Sequence, residues 1–570
     1  MAVRVLVALV LTVPVVAGCS DGGSSASGSA ANAGTNEPAQ GTWFRERGHA
    51  FGIDFEHRSG AVPERYLMPE IMGGGVALID ADRDGRLDVY LVQSGSLDDP
   101  AQGANRLYLN RAGEGGAPEF EHAVGVAADT GYGMGAAQGD VDGDGIVDLY
   151  VTNWGRNTLY RGDGAGGFAD VTEACGAGDD GWGTSAAFFD PDLDGDLDLY
   201  VANYLVWSPQ GAIECRNEMG ARDYCSPQSH FSPALDAFYR NAGDGTFTDE
   251  SEASGIGSTP GTGLGVTVGD FDGDGTFDVF VANDGMSDFL WAGAGDGTFV
   301  DRAFEAGCAL DDSGVAKAGM GVVAADPDRD GDLDVVVCNL HKQSDSFFVN
   351  DGGRFRDRTL RSGLGSVSRR FTRFGLGWID FDHDGELDLF QANGRVMRQA
   401  RDLADDPYAE PNLVLRGLGE MRYEVVDNAD GGLVATSRAA AFGDLDGDGD
   451  VDVVVANRDA RFHVFENVAP KVGAWIGFDV REANGAPALG ARVETFESTA
   501  SGNDDRRYAR CEPASSYQSS NETRVHVGLG ARTTPSIVTV VWPGGEREDF
   551  GPLASGRDHR LVRGAGRSAD

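Results

Sequence analysis

Positive charge is scarce in this chain. Its 570 residues carry 46 Lys+Arg against 91 Asp+Glu, a formal net charge of −45, and only three of the cations are lysines. That balance excludes a nucleic-acid backbone or an anionic membrane surface as the main partner. Long apolar runs are missing too: Val5 to Val16 is too short for a permanent bilayer span. Cysteine is sparse, at seven residues. The motifs of common catalysts are lacking: there is no H-E-x-x-H, no Cys-x-x-Cys, no G-x-S-x-G and no phosphate loop. Nine histidines are scattered, and His57 and His526 read as structural. No catalytic residue is assigned. Disorder is excluded as well, because 41% hydrophobic and 9% aromatic residues supply enough apolar area for a core.

What is present begins with an export pattern. Arg4, the apolar run and the small residues after it read as a secretory signal. Val16-Ala17-Gly18-Cys19 resembles a bacterial lipobox, which makes residues 1–19 a lipoprotein signal and Cys19 the acylated residue. Ser20 after that cysteine favours an outer membrane. Residues 20–41 are Gly, Ser, Ala and Asn, a flexible tether of about 25 Å mean reach. The expected location is exported, lipid-anchored to the cell envelope or extracellular, with membrane contact only through the anchor. In an exported chain the other six cysteines are disulfide candidates. Cys215 and Cys225 share one short segment and are the best pair; Cys175, Cys308, Cys338 and Cys511 allow three pairings, with none preferred.

Glycine, at 84 residues, favours turns and strands over long helices. Much of the acid recurs in one pattern, D-x-D-x-D-G-x-x-D, seven times. The aspartates are Asp80, Asp82, Asp84 and Asp88; Asp140, Asp142, Asp144 and Asp148; Asp190, Asp192, Asp194 and Asp198; Asp270, Asp272, Asp274 and Asp278. The last three sets are Asp326, Asp328, Asp330 and Asp334; Asp380, Asp382, Asp384 and Asp388; Asp444, Asp446, Asp448 and Asp452. Each motif joins two short apolar segments that read as adjacent buried strands. An aromatic-rich strand, a turn and a further strand follow. Four strands per 50 to 60 residues is a propeller blade. Gly133 and Gly135, Gly263 and Gly265, and Gly319 and Gly321 precede the first strands, where crowding at an axis demands missing side chains.

Seven blades must close, or sheet edges stay exposed. The seventh repeat stops at Asn467 without its last strand, and Thr42-Trp43-Phe44-Arg45-Glu46 resembles what is missing. The N-terminal strand is therefore expected to complete the last blade; six blades plus a separate hairpin is the alternative. Within each loop, alternate carboxylates can face inward, Gly at position 6 permits the turn, and position 7 can offer its carbonyl. That is the oxygen-rich, flexible shell that Ca²⁺ takes, rather than the strict octahedron of Mg²⁺. About seven calcium ions are expected, with positions 4 and 7 free of side-chain constraint.

These repeats resemble the FG-GAP/VCBS units of integrin α-chain propellers, and the whole resembles bacterial members of the cartilage acidic protein-like family. Gly490-Ala491-Arg492-Val493, Tyr517 to Ser519, His526-Val527-Gly528-Leu529-Gly530 and Trp542-Pro543-Gly544-Gly545 are similar to an ASPIC/UnbV domain. The expected fold class is all-β: a seven-bladed propeller over residues 42–468 and a small sandwich-like β domain over 469–563, with 564–570 as a tail. The resemblance brings no settled activity. Two ligand sites are considered. An insertion at about 204–235, similar to the family's cysteine-containing one, is a binding loop or a cap. Arg369, Arg370, Arg373, Arg395, Arg398 and Arg401 form an anion site or pair with nearby acids. Where relatives show Asn-Gly-His, this chain has Asn393-Gly394-Arg395. The expected function is a non-enzymatic surface binding or adhesion module for a protein or glycan; the alternative is a polysaccharide lyase-like enzyme.

Overall fold

In the computed structural model, residues 41–99, 103–113, 115–226, 231–398, 404–497, 505–532 and 536–569 are described. Cys19, the signal and the tether lie outside them. Seven antiparallel sheets form around one axis. Their innermost strands are Val76–Ile79, Tyr132–Gly139, Gly183–Phe189, Gly263–Gly269, Gly319–Ala325, Arg373–Ile379 and Ser437–Gly443. Each neighbours the next around the ring, and the last neighbours the first. Every one of them ends directly before the first aspartate of a motif.

The ring is closed by the two ends of the repeat region. Phe44–Glu46 pairs antiparallel with His463–Asn467 as the fourth strand of the seventh blade, the pairing expected from the missing last strand. Phe44 is fully buried there, edge-on to Phe381 at 5.1 Å and Phe390 at 5.5 Å. Asparagines stitch blade to blade. Asn241 Nδ2 donates to Val141 O at 2.7 Å, Asn350 Nδ2 to Phe271 O at 2.7 Å and Asn467 Nδ2 to Phe381 O at 3.1 Å. Asn110 Nδ2 donates to Leu445 O at 3.1 Å, which joins the first blade to the seventh.

Crowding at the axis accounts for the glycines. A Cβ on Gly135 would lie 2.4 Å from Thr184 O, on Gly265 2.3 Å from Met320 O, and on Gly321 2.1 Å from Phe374 O. Only a residue without a side chain lets the inner strands approach so closely.

The C-terminal module is a sandwich of a three-stranded sheet (Ala474–Arg481, Val525–Gly530, Asp558–Val562) and a five-stranded sheet. Ile476, Phe478, Val493, Val527, Val538, Val540 and Trp542 fill its core, which is continuous with Ala137, Val141 and Phe188 of the propeller. One expectation needs correction. Residues 564–570 are not simply a tail: Arg567–Ser568 pairs with Glu548 and Asp549 as the fifth strand of the larger sheet. Its two exposed polar residues carry no strand pattern.

Between the two sheets the chain leaves the sandwich and enters the propeller axis, which the sequence did not suggest. Ser519–Ser520 runs parallel to Val76–Ala77 of the first blade. Gln138 of the second blade donates to Ser520 Oγ at 3.0 Å and Asn521 O at 2.7 Å. Gln518 N donates to Ser185 Oγ of the third at 3.0 Å, and Arg510 Nη1 to Val268 O of the fourth. Ser516 serves the remaining three. Its N–H donates to Val322 O at 2.7 Å, its Oγ accepts from Leu376 N at 3.0 Å, and its hydroxyl donates to Ala440 O at 2.8 Å. All seven inner strands are thus contacted. Tyr517, fully buried, continues inward to stack edge-on against Phe374 at 5.0 Å.

Candidate metal loops and the faces around them

The seven loops repeat one set of backbone bonds. At position 1 the Oδ2 of Asp80, Asp140, Asp190, Asp270, Asp326, Asp380 and Asp444 accepts the N–H of the position-6 glycine, at 2.8 to 3.2 Å. At position 5 the Oδ1 of Asp84, Asp144, Asp194, Asp274, Asp330, Asp384 and Asp448 accepts the N–H of position 7, at 2.8 to 3.0 Å. At position 9, Asp88 accepts Ala81 N at 2.9 Å and Asn110 N at 2.7 Å, fixing the loop to the third strand; Asp148, Asp278, Asp388 and Asp452 do the same. The ninth carboxylate is therefore a backbone clamp as well as a candidate ligand.

Position 4 is not free. Arg83, Leu193, Arg329 and His383 have φ of 60°, 58°, 65° and 61°, and Gly143, Gly273 and Gly447 have 71°, 76° and 74°. A left-handed residue there aims successive amides and carboxylates into the loop, at a cost for a side chain of roughly 1 kcal/mol. Glycine at three of the seven positions was the signal in the sequence.

These residues fit a hard cation. Carboxylate oxygens of Asp80, Asp82 and Asp88 lie within 4.8 Å of one another, as do those of Asp140, Asp142 and Asp148 and of Asp270, Asp272 and Asp278. Asp190, Asp192 and Asp194, and Asp326, Asp328 and Asp330, gather likewise through position 5. Several of the oxygens are buried without a hydrogen-bond donor: Oδ1 of Asp80, Asp82, Asp192 and Asp380, and Oδ2 of Asp334. An unmatched buried carboxylate oxygen is costly unless a proton or a cation meets it. Burial pushes Asp88 and Asp148 up to about 7 and Asp278 and Asp334 up to about 8, with neighbouring loop aspartates adding to the rise. The loops can hold metal ions. All-oxygen donors select Ca²⁺, Mg²⁺ or Mn²⁺ over softer metals.

The C-terminal module rests on this loop face. Asn484 Nδ2 donates to Asp140 Oδ2 at 3.3 Å and Gly143 O at 3.2 Å. Asp444 N donates to Glu522 Oε2 at 2.9 Å, and Arg507 Nη1 to Gly385 O. Trp475 covers Gly449, and Tyr508 lies against Gly331. His526, half-buried beside Trp475 at 5.7 Å and His383 at 5.1 Å, is pushed down to about 3 by desolvation. His57 is pushed down to about 4 for the same reason, its Nε2 3.0 Å from Ser94 Oγ.

At the opposite mouth the insertion forms a cap. Tyr204, Tyr224 and Cys225 are buried in one cluster with Met68, Met72, Phe374 and Tyr517. Cys215 and Cys225 form a disulfide, whereas Cys175, Cys308, Cys338 and Cys511 are free and buried. The outer side of the insertion keeps Val206, Ile213, Met219 and Leu235 exposed. A recess of about 400 Å³ lies between Pro209–Cys215 and Glu64–Leu67.

The arginine cluster does not converge on one anion site. Arg373 is fully buried in an ion pair with Asp345 at 2.7 Å, and Arg395 is buried against Glu410 at 3.2 Å. Arg398 lies over Tyr66 and Tyr408. Arg369 Nε donates to Lys342 O, Arg370 lies over Phe371, and Arg401 is outside the described residues. For Arg373 and Arg395, burial demanded partners, and Asp345 and Glu410 supplied them.

The repeats decide the family. A model of the FG-GAP-like repeat matches residues 80–151, 140–201, 224–281, 270–337 and 326–390. The chain belongs to the FG-GAP-like repeat family. A second model, ASPIC and UnbV, matches residues 481–568. Among curated relatives of this FG-GAP chain, cartilage acidic protein 1 of Xenopus tropicalis is 27% identical over 515 residues, covering 84% of this chain and 71% of that one. The human cartilage acidic protein 1 is 29% identical over 299 residues, half of this chain and 41% of its own length. A rhamnogalacturonan lyase structure from Bacillus licheniformis aligns over 70% of this chain and 71% of that one at 14% identity and a TM-score of 0.37. A likeness that low bears on neither ligand nor activity.

One buried acid outside the loops sets a pH dependence. Asp236 accepts Tyr200 OH at 2.5 Å and Asn203 N at 2.8 Å, yet desolvation pushes it up to about 7 from 3.8. The folded state keeps a proton that the unfolded chain releases near pH 4. Its contribution to stability is thus full below that pH and is lost as pH rises through about 7. Asp236→Asn, which keeps the shape without the charge, is expected to gain in urea midpoint over the parent between pH 5 and pH 8. A gap that stays constant over that range refutes the assignment.

Proposed function

We propose that the chain is an exported, calcium-stabilised propeller that binds a protein partner through its disulfide-braced insertion and catalyses no reaction. One observation carries this reading: the C-terminal module rests on the loop face and fills the axis with residues 511–522, whereas the insertion keeps Val206, Ile213, Met219 and Leu235 exposed, with Ile213 lining a recess. Exposed apolar side chains on the insertion favour a protein over a glycan. Oxygen-only loops under extracellular calcium supply rigidity, and acylation at Cys19 would hold the module at the envelope; acyl labelling lost in Cys19→Ala tests that anchor.

The binding test places a photo-crosslinking residue at Ile213 or Met219 of the exported protein, with Val124, 82% exposed, as control. A discrete adduct from the insertion positions and none from Val124 is expected. In parallel, the full chain is applied to a glycan array with and without EDTA. Saturable glycan retention without adducts would favour the glycan reading, and new unsaturated ends on a polysaccharide would establish the lyase instead.

A further inference from the structure

The C-terminal sandwich touches the loops through their backbone and through carboxylates of Asp140, Asp444 and Asp450, and so depends on loop shape. Gly143 O and Gly385 O accept from Asn484 and Arg507, Asp444 N donates to Glu522, and Gly449 and Gly331 lie under Trp475 and Tyr508. Four carboxylates packed into one turn repel one another, and a cation is what lets such a loop keep a single conformation. A loop that spreads on losing its ion withdraws the surface on which the sandwich sits.

The axial segment supplies a second physical link. It bonds to the inner strands, and each inner strand runs without a break into the first aspartate of its loop: Ile79 into Asp80, Gly443 into Asp444. Ser516 alone joins three blades through Val322, Leu376 and Ala440. Phe442, two residues before Asp444, accepts the N–H of Glu522 at 3.1 Å and donates its own to Asn521 Oδ1 at 3.0 Å. A displaced axial segment therefore releases strands whose next residues are the metal ligands.

We propose that metal occupancy of the loops and seating of residues 511–522 in the axial channel are thermodynamically coupled, each favouring the other. The proposal rests on the reading that the loops hold divalent cations. Coupling is reciprocal: if the ions favour the seated state, the seated segment must tighten the ions by the same factor. The C-terminal module then acts as an internal gauge of metal loading, docked when the loops are filled and loosened when they empty.

Hydrogen exchange on the full chain tests the first direction. Peptides covering 511–524 are expected to exchange at least tenfold faster in EGTA than in calcium. Calcium titration of Tyr517→Ala tests the second. Tyr517 lies in the channel against Phe374 and Met72 and contacts no loop, yet its truncation is expected to weaken calcium binding about 5-fold or more, within the usual span of coupling between sites. Tyr517→Phe, which loses only the 3.3 Å bond to Met72 O, is expected to keep the parent affinity. Should Tyr517→Ala fold poorly, Ser516→Ala replaces it: this variant removes the side-chain bonds to Leu376 N and Ala440 O of the inner strands and is expected to weaken calcium binding in the same direction. Unchanged exchange in a protein shown to have lost its metal overturns the coupling alone. So does a Tyr517→Ala titration that superimposes on the parent. A chain that binds no metal by elemental analysis overturns both the coupling and the metal reading beneath it.

Discussion

Chelation is expected to lower the melting temperature of the full chain by about 8 °C. An extracellular-type site with Kd near 0.1 mM, in about 1 mM calcium, contributes roughly 1.4 kcal/mol. Seven such sites total about 10 kcal/mol, comparable to the whole stability of a typical domain, and a chain of this size shifts by about 0.8 °C per kcal/mol. The buried, donor-free oxygens of Asp80, Asp82, Asp192 and Asp380 show where the energy comes from, since without a cation each needs a proton or water. Scanning calorimetry in calcium and in EDTA measures the effect directly. Equal melting temperatures, with elemental analysis confirming metal in one sample and none in the other, would show that the ions are bystanders.

The second large effect is expected at the axis. In Gly321→Ala the new methyl would lie 2.1 Å from Phe374 O and 2.8 Å from Leu376 Cδ2. Backbone on the neighbouring blade cannot step aside without moving a strand that itself meets the next blade. A loss of more than about 3 kcal/mol is expected, at the upper end of what overpacking produces. Gly113→Ala, with nothing within 4 Å of its added methyl, should change stability by less than about 0.5 kcal/mol. Urea midpoints of the two variants give the comparison, and similar midpoints would mean that the inner ring is looser than its strands imply.

How legible these features were depended on whether they repeat. The strand–loop–strand unit recurs seven times, so its spacing exposed the loops, the glycines of the inner strands and the missing last strand that Phe44–Glu46 supplies. Position 4 repeats as well, but what it shares is a backbone angle, and Arg83, Leu193 and His383 conceal that angle behind unlike side chains. The axial segment occurs once. Its Ser515, Ser516, Gln518, Ser519 and Asn521 look like loop residues because their task is to satisfy polar groups of seven strands, not to bury an apolar face. The arginines misled for a related reason. Charge in sequence does not reveal burial, and Arg373 and Arg395 meet Asp345 and Glu410, 28 and 15 residues away.

The seam between Phe44–Glu46 and His463–Asn467 also sets a schedule. Arg45 and Glu466, ion-paired across it, stand 421 positions apart. The first strand to be made must therefore wait, unpaired, until almost the entire ring has been delivered. While it waits, Phe44–Glu46 could add instead to the bare edge of His463–Asn467 in a second, completed chain, so exchanged dimers are the characteristic error of assembly to look for at high expression.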